Sequence, residues 1–314
     1  MTDTATRSLA PDSPFAAAQS QPKRLKVLAY GNSGTGKTTL ALGFPGVALF
    51  DLEGGADLYS GKFRFDVLRT TAFDDAVAAV RWLHEHPHPY RTVVVDPITI
   101  LWDALQKKWN EIFLRRAKSS KGYKFEYFEN GPREWATIKA EWKDFMRLLL
   151  GLDTNLIVTA REKVLYSDAA FMQPAGFTFD GEKSLAYLFD VVLRLSRDAK
   201  GRFVAEVVKD RSGLLPTEPF EHSYALFSRL FGEETFTREA KPFVVVTDAQ
   251  RRRLLDLIEE LRIPQEQVIK RCEAYGAEGL HDISTEAAAA IIEKWAATLA
   301  ARQSKNSTPT PKGD

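Results

Sequence analysis

Eight consecutive residues, Gly31-Asn32-Ser33-Gly34-Thr35-Gly36-Lys37-Thr38, fit the spacing G-x-x-x-x-G-K-[ST] without a substitution. These residue types at this spacing suit one kind of ligand, a polyphosphate. Gly31, Gly34 and Gly36 permit backbone angles closed to other residues and let the main chain approach an anion. The loop amides, with Thr39 just beyond them, then form a nest of inward donors. Lys37 supplies a point charge for the outer phosphates. The Thr38 hydroxyl completes the shell of a Mg²⁺ ion that also touches those phosphates.

Such a loop needs a strand before it and a helix behind it. Lys26-Val27-Leu28-Ala29-Tyr30 is β-prone, and Thr39-Leu40-Ala41-Leu42-Gly43 opens a helix whose positive end faces the same anion. Further on, Thr92-Val93-Val94-Val95-Asp96 is a β-branched run ending in one carboxylate. A buried parallel strand presents such an acid at its C-terminal edge, where α/β sheets bind ligands. Asp96 is therefore the expected second Mg²⁺ ligand, acting through water; its plainer reading is a cap for the following helix. Val47 to Glu53 reads as another buried strand ending in acids. Asn155-Leu156-Ile157-Val158-Thr159-Ala160-Arg161 is a third, whose end lies beside the loop, so that Thr159 or Arg161 can sense the outermost phosphate.

The composition bounds the rest. With 314 residues the chain accommodates one large α/β domain and a smaller second one. A net charge of +1 excludes a surface that is basic throughout, so any nucleic-acid site must be a local patch. One cysteine, Cys272, excludes an internal disulfide framework and suits a reducing cytoplasm. No apolar run is long enough to span a bilayer, and a soluble cytoplasmic protein without a membrane partner is expected.

Four segments follow from composition and periodicity: an arm over 1–22, the α/β domain over 23–242, a helical module over 243–301 and a polar tail over 302–314. Within the α/β domain, short strands are expected at 64–68, 190–195 and 202–209, and helices over 74–84, 98–113 and 135–150. His84 to Pro89 is histidine-rich, but two prolines after a helix mark a solvated connector before a metal site. Arg115, Arg116, Lys118, Lys121 and Lys124 precede and interleave with Tyr123, Phe125, Tyr127 and Phe128. Cations for phosphates and flat rings for bases are what single-stranded DNA needs, although the same residues also suit a basic loop whose rings pack down. Residues 162–184 show little periodicity and read as a long functional loop. In the C-terminal module, Thr247-x-x-Gln250 is a capping box, followed by Leu254, Leu255, Ile258 and Leu261 as an apolar stripe. Pro264 opens a second helix and Ser284-Thr285-Glu286 a third, together a small bundle or partner-docking module.

From Arg24 to about Arg211 the order of motifs resembles a RecA-type ATPase core, and most of all the phage-encoded AAA-type ATPases counted among single-strand annealing recombinases. The phosphate loop and the Val93-Val94-Val95-Asp96 strand carry the resemblance. So does Phe50-Asp51-Leu52-Glu53, which resembles the RecA strand whose glutamate aligns the attacking water, a role this implies for Glu53. Val207-Val208-Lys209-Asp210-Arg211 is similar to the segment whose two cations cross a subunit interface to a neighbour's ATP, which implies that role for Lys209 and Arg211. A RecA-like P-loop core with a mostly parallel sheet, plus a small helical bundle, is the implied fold. A homo-oligomer with ATP at the subunit interface is the implied assembly. Pro14-Phe15-Ala16-Ala17-Ala18 also resembles the recombinase oligomerisation tag, in an arm rich enough in alanine to produce it by chance. RecA ends its sensor strand with Asn-Gln, whereas this chain has Ala160-Arg161.

The expected chemistry is ATP hydrolysis coupled to single-stranded DNA. Two other functions fit the same motifs: a P-loop kinase of a small molecule or nucleotide, and an adaptor that ATP switches between shapes so that the C-terminal helices recruit a partner.

Overall fold

The computed structural model describes residues 24–306, apart from 120–121, 167–172, 241–245, 276, 278 and 281–282. The chain opens with β1 (Lys26–Gly31), α1 (Lys37–Leu42), β2 (Val47–Asp51), β3 (Phe65–Arg69) and α2 (Phe73–Glu85). It continues through β4 (Thr92–Asp96), α3 (Ile98–Ser119), α4 (Pro132–Gly151), β5 (Asn155–Tyr166) and β6 (Pro174–Phe179). Next come α5 (Leu185–Leu188), β7 (Val191–Arg197), β8 (Phe203–Asp210), β9 (Phe220–Glu221), α6 (Tyr224–Phe231) and α7 (Glu233–Thr237). Three helices close it: α8 (Asp248–Leu261), α9 (Gln265–Glu273) and α10 (Thr285–Asn306).

The strands lie in the order β3-β2-β4-β5-β1-β7-β8-β9, with β6 paired to β5 off that path. From β3 to β7 every neighbouring pair is parallel; β8 and β9 return antiparallel. A strand buried on both faces is apolar throughout, and successive side chains feed opposite cores. Leu28, Tyr30, Val93, Val95, Leu156 and Val158 join Trp142, Phe145 and Leu105 on the face covered by α2, α3 and α4. Val27, Ala29, Val94, Ile157 and Leu193 join Leu40, Phe227 and Phe236 on the face covered by α1, α6 and α7. The result is a three-layer α/β domain with a mostly parallel sheet. A separate cluster under α8, α9 and α10 contains Leu254, Leu257, Leu261, Val268, Cys272, Ile291 and Trp295.

Several sequence expectations change. Residues 162–166 do not begin a loop: β5 runs on past the sheet and pairs antiparallel with β6, Glu162 facing Phe179. The expected 98–113 helix continues to Ser119, so Arg115, Arg116 and Lys118 stand on α3 and not in a basic loop. His84 is buried, its Nε2 2.8 Å from the Leu148 carbonyl, and so belongs to the core and not to a solvated connector. The capping box at Thr247 and Gln250 is formed. Behind it Leu257, not Leu255, completes the stripe; Leu255 sits on a different face of the helix and is exposed. The last helix extends to Asn306, into the expected polar tail. Phe15 and Lys121 lie outside the described residues. Among the described residues no helix is long and apolar enough to cross a membrane, and no cluster of His, Cys, Asp and Glu could hold a metal ion.

Candidate active site

The strand order places four chain ends side by side. β5 stands between β1, which leads into the glycine loop, and β4, which ends in Asp96; β2 follows with Asp51. Gly31 is in register with Arg161, and Asp51 with Asp96. At this edge lies a cleft of about 560 Å³ lined by the loop and by Glu53, Leu58, Tyr59, Asp96, Arg161 and Glu162, among others. Of the loop, Gly31, Asn32, Ser33, Gly34, Gly36, Lys37 and Thr38 face it.

Thr35 acts from behind, its hydroxyl donating to the Asn32 carbonyl at 2.9 Å, while Thr39 lies within α1, beyond the cleft wall. Gly36 has φ +88°, in the left-handed region that glycine adopts without strain. Lys37 lies across the loop mouth, Nζ donating to the carbonyls of Gly31 at 2.8 Å and Asn32 at 2.7 Å. Burial pulls the Lys37 ammonium below its usual value, and Asp96, Glu53 and Glu162 oppose that shift.

The Thr38 hydroxyl donates to Asp96 Oδ2 at 2.6 Å, and the Thr159 hydroxyl donates to Asp96 Oδ1. Burial pushes the Asp96 carboxyl above its usual value, and the two hydroxyls offset this only in part. A desolvated carboxylate beside a hydroxyl is a hard-oxygen pair of the kind Mg²⁺ takes. Thr38 and Asp96 therefore fit the ion.

Glu53 stands across the cleft mouth from them. Arg161 grips its Oε1 twice, from Nε at 3.0 Å and Nη2 at 2.6 Å. Both partners are about half exposed, at 52% and 50%, so the pair adds little stability; its content is the orientation of Glu53. The next residue, Glu162, points the other way along the pleat. It is almost fully buried, accepts from Asn32 Nδ2 at 3.3 Å and pairs with Arg194 at 2.9 Å. Asp51 fixes the turn after Glu53 by accepting from the amides of Gly54, Gly55 and Ala56.

Lys209 and Arg211 are elsewhere. β8 is antiparallel to the strands that end at the cleft, and Asp210 faces Val191 at the start of β7. Seven residues of strand separate it from Phe203 at the loop end, roughly 20 Å at the usual rise. Lys209 Nζ donates to the carbonyls of Ala186 and Tyr187, and Arg211 to Tyr187 O and the Asp190 carboxylate. Burial and the adjacent Arg211 lower the Lys209 ammonium. Neither cation reaches the cleft of its own chain.

The basic stretch is a third locus. Arg116 lies over the Trp109 ring at 5.7 Å. Tyr123 and Phe125 pack against the core, Phe125 edge-on to Phe113, whereas Phe128 is 65% exposed and Tyr127 partly so. Two of the four rings thus pack down, with exposed Lys124 between them in the chain, and two face solvent.

Glu162, Leu58 and Tyr59 line the cleft without having been expected there. Asp51 followed by Gly54-Gly55 is the available signal for the turn that presents Leu58 and Tyr59. Glu162 carries none, because the apolar run that marks its strand ends before it. A family model described as AAA domain matches residues 23–219, a range that takes in the cleft and both cations at the end of β8. No curated protein matches the chain.

Proposed function

The chain belongs to the AAA-domain family of P-loop ATPases, and from that premise we propose that it binds and hydrolyses ATP at the cleft and couples turnover to single-stranded DNA. One observation supports the hydrolytic part above all. Lys37, Thr38, Asp96, Glu53 and Arg161 come from four separate segments and converge on one cleft. The loop amides and Lys37 would hold the phosphates. Thr38 and Asp96 would hold Mg²⁺, which would supply neutralisation of charge on the outer phosphates. Glu53 accepts a hydrogen bond from the attacking water and orients it, and Arg161 sets the angle of Glu53 and reaches toward the transferring phosphate.

Lys209 and Arg211 serve a neighbouring subunit in this reading. They stand at the edge opposite their own cleft and are flanked by exposed Tyr187, Leu188, Val208 and Leu214. A second copy stacked head to tail would cover that apolar ground and bring both cations to its ATP. Cations supplied in this way contribute about 10³–10⁵ in rate in other NTPases. The last turns of α3, with Arg115, Arg116 and Lys118, the following connection, with Lys121 and Lys124, and the β5–β6 hairpin are the DNA contacts in this reading. The placing in phage-type annealing or recombination, with the C-terminal helices receiving a replication or recombination partner, comes from the motif resemblance.

The test is ATP turnover against protein concentration with single-stranded DNA, duplex DNA or neither. Turnover should rise with concentration and most with single strands. A rate indifferent to both refutes the coupling, and a stoichiometric phosphorylated small molecule would favour a kinase. Glu53→Gln should retain ATP binding and lose hydrolysis; retained turnover would remove the role of Glu53.

A further inference from the structure

Loop amides can face an anion only if the carbonyls between them face away, and those carbonyls then need partners of their own. Two side chains from β7 and from just beyond β9 meet this need at Gly34 and Thr35, and a third, from β8, packs under the next loop residue, Gly36. Arg197, at the end of β7, donates Nε to the Gly34 carbonyl at 2.7 Å. His222, just after β9, is buried and places Nε2 3.4 Å from the Thr35 carbonyl. That carbonyl can only accept, so Nε2 carries the proton. Phe203, at the start of β8, lies under Gly36, where an added Cβ would stand 2.8 Å from its ring.

The three also hold one another. The Arg197 guanidinium sits over the Phe203 ring at 4.7 Å, and the His222 ring stacks with Phe203 at 5.8 Å. None of them lines the cleft. We infer that Arg197, Phe203 and His222 form an outer brace of the phosphate loop, three positioning residues that keep its carbonyls turned outward and its amides turned toward the triphosphate. The brace rests on the reading of this loop as the ATP site. It explains why the loop is tied to strands that contribute nothing to the cleft itself. It also gives Gly36 a steric reason beside its backbone angle.

The brace acts on the fraction of molecules whose loop is ready to bind. If that fraction falls to about a tenth, apparent nucleotide Kd rises about tenfold. Arg197→Ala and His222→Ala should each raise Kd for ATP and KM by roughly that factor, with a smaller fall in kcat, since Lys37, Asp96 and Glu53 keep their places. His222→Gln, whose amide N–H reaches the same carbonyl, should restore much of the affinity. Amide hydrogen exchange over residues 31–38, measured on the same full-length variants without nucleotide, should quicken in both Ala variants and not in His222→Gln. Unchanged exchange in both Ala variants overturns the brace, whether or not the wild-type chain binds ATP. Faster exchange with unchanged Kd also overturns it, because the loop would then not need positioning. A wild-type chain that binds no ATP removes the ATP reading, and the exchange data still judge the brace. Arg197 is exposed and its replacement leaves the core intact, so it carries the test if His222→Ala fails to fold.

Discussion

Replacing Asp96 by Asn separates what the carboxylate does for the fold from what it does for the ligand. In the folded chain the carboxyl is desolvated and pushed up, with Glu53 adding to the effect. A folded pKa above the unfolded one means that the native state binds the proton more tightly. The contribution of this one group to stability is therefore full below the ordinary carboxylate range, is lost as pH rises through the raised value, and is absent at neutral pH. Asparagine is neutral and nearly the same shape. The Thr159 hydroxyl can still donate to its oxygen, and the Thr38 hydroxyl can turn to accept from its amide. The hydrogen bonds survive and the ionisation cost disappears, a gain of about 1.4 kcal/mol for every tenfold by which folding weakens the acid. A melting point higher by roughly 2–4 °C per kcal/mol follows for a domain of this size. With ATP and Mg²⁺ the order should reverse. A ligand at about a hundred times its Kd stabilises by about 2.7 kcal/mol, and the variant, lacking one oxygen anion of the metal pair, should gain much less. Calorimetry in chelator and again in saturating Mg²⁺ and ATP tests both halves. An Asn variant that melts below wild type in chelator refutes the burial argument. One that gains as much as wild type from Mg²⁺ and ATP refutes the metal assignment.

Lys26→Met should lower the melting point by roughly 4–8 °C with nucleotide affinity unchanged. The buried ammonium donates to the Leu152 and Thr154 carbonyls at 2.9 and 2.8 Å, and orphaning both costs about 2 kcal/mol; an unaltered melting curve would show that water replaces it. Two loop glycines should differ by about 1 kcal/mol on conversion to Ala. A Cβ on Gly31 meets the Leu195 carbonyl at 2.3 Å, a backbone atom that cannot yield without parting β1 from β7, and should cost about 2–3 kcal/mol. Gly34 has open space and φ +74°, so Gly34→Ala should cost only about 1–2 kcal/mol of backbone strain; equal losses in thermal unfolding would contradict this contrast.

The cleft was legible where chemistry leaves a local pattern. Gly31 to Thr38 and the β-branched run into Asp96 declare themselves because a phosphate nest and a buried acid-tipped strand each dictate several adjacent residue types. The parallel strands were legible for the same reason: Val93-Val94-Val95 and Leu156-Ile157-Val158 are apolar on both faces. The second half of β5 was not, because Glu162 to Tyr166 leave the core, and an exposed strand has no burial pattern to announce it. The helical end of α3 was hidden likewise, since Arg115, Arg116 and Lys118 are as much at home in a solvated loop. His222 and Arg197 had no signal at all. Each is a lone residue, brought to the loop by strands that pair across the sheet. The opposite placing of Lys209 and Arg211 depended on β8 running antiparallel to β7, which strand pairing locates and residue types alone do not.

β5 has one further consequence. Its first six residues are packed between β1 and β4, and its last five stand free of that packing as one arm of the hairpin, with no break in the strand between. Arg161 and Glu162 sit at the point of emergence, one reaching Glu53 and the other Asn32. A stiff rod clamped at one end transmits a sideways load to its clamp. A load on the hairpin would therefore reach Arg161 and Glu162 before any other residue of the cleft.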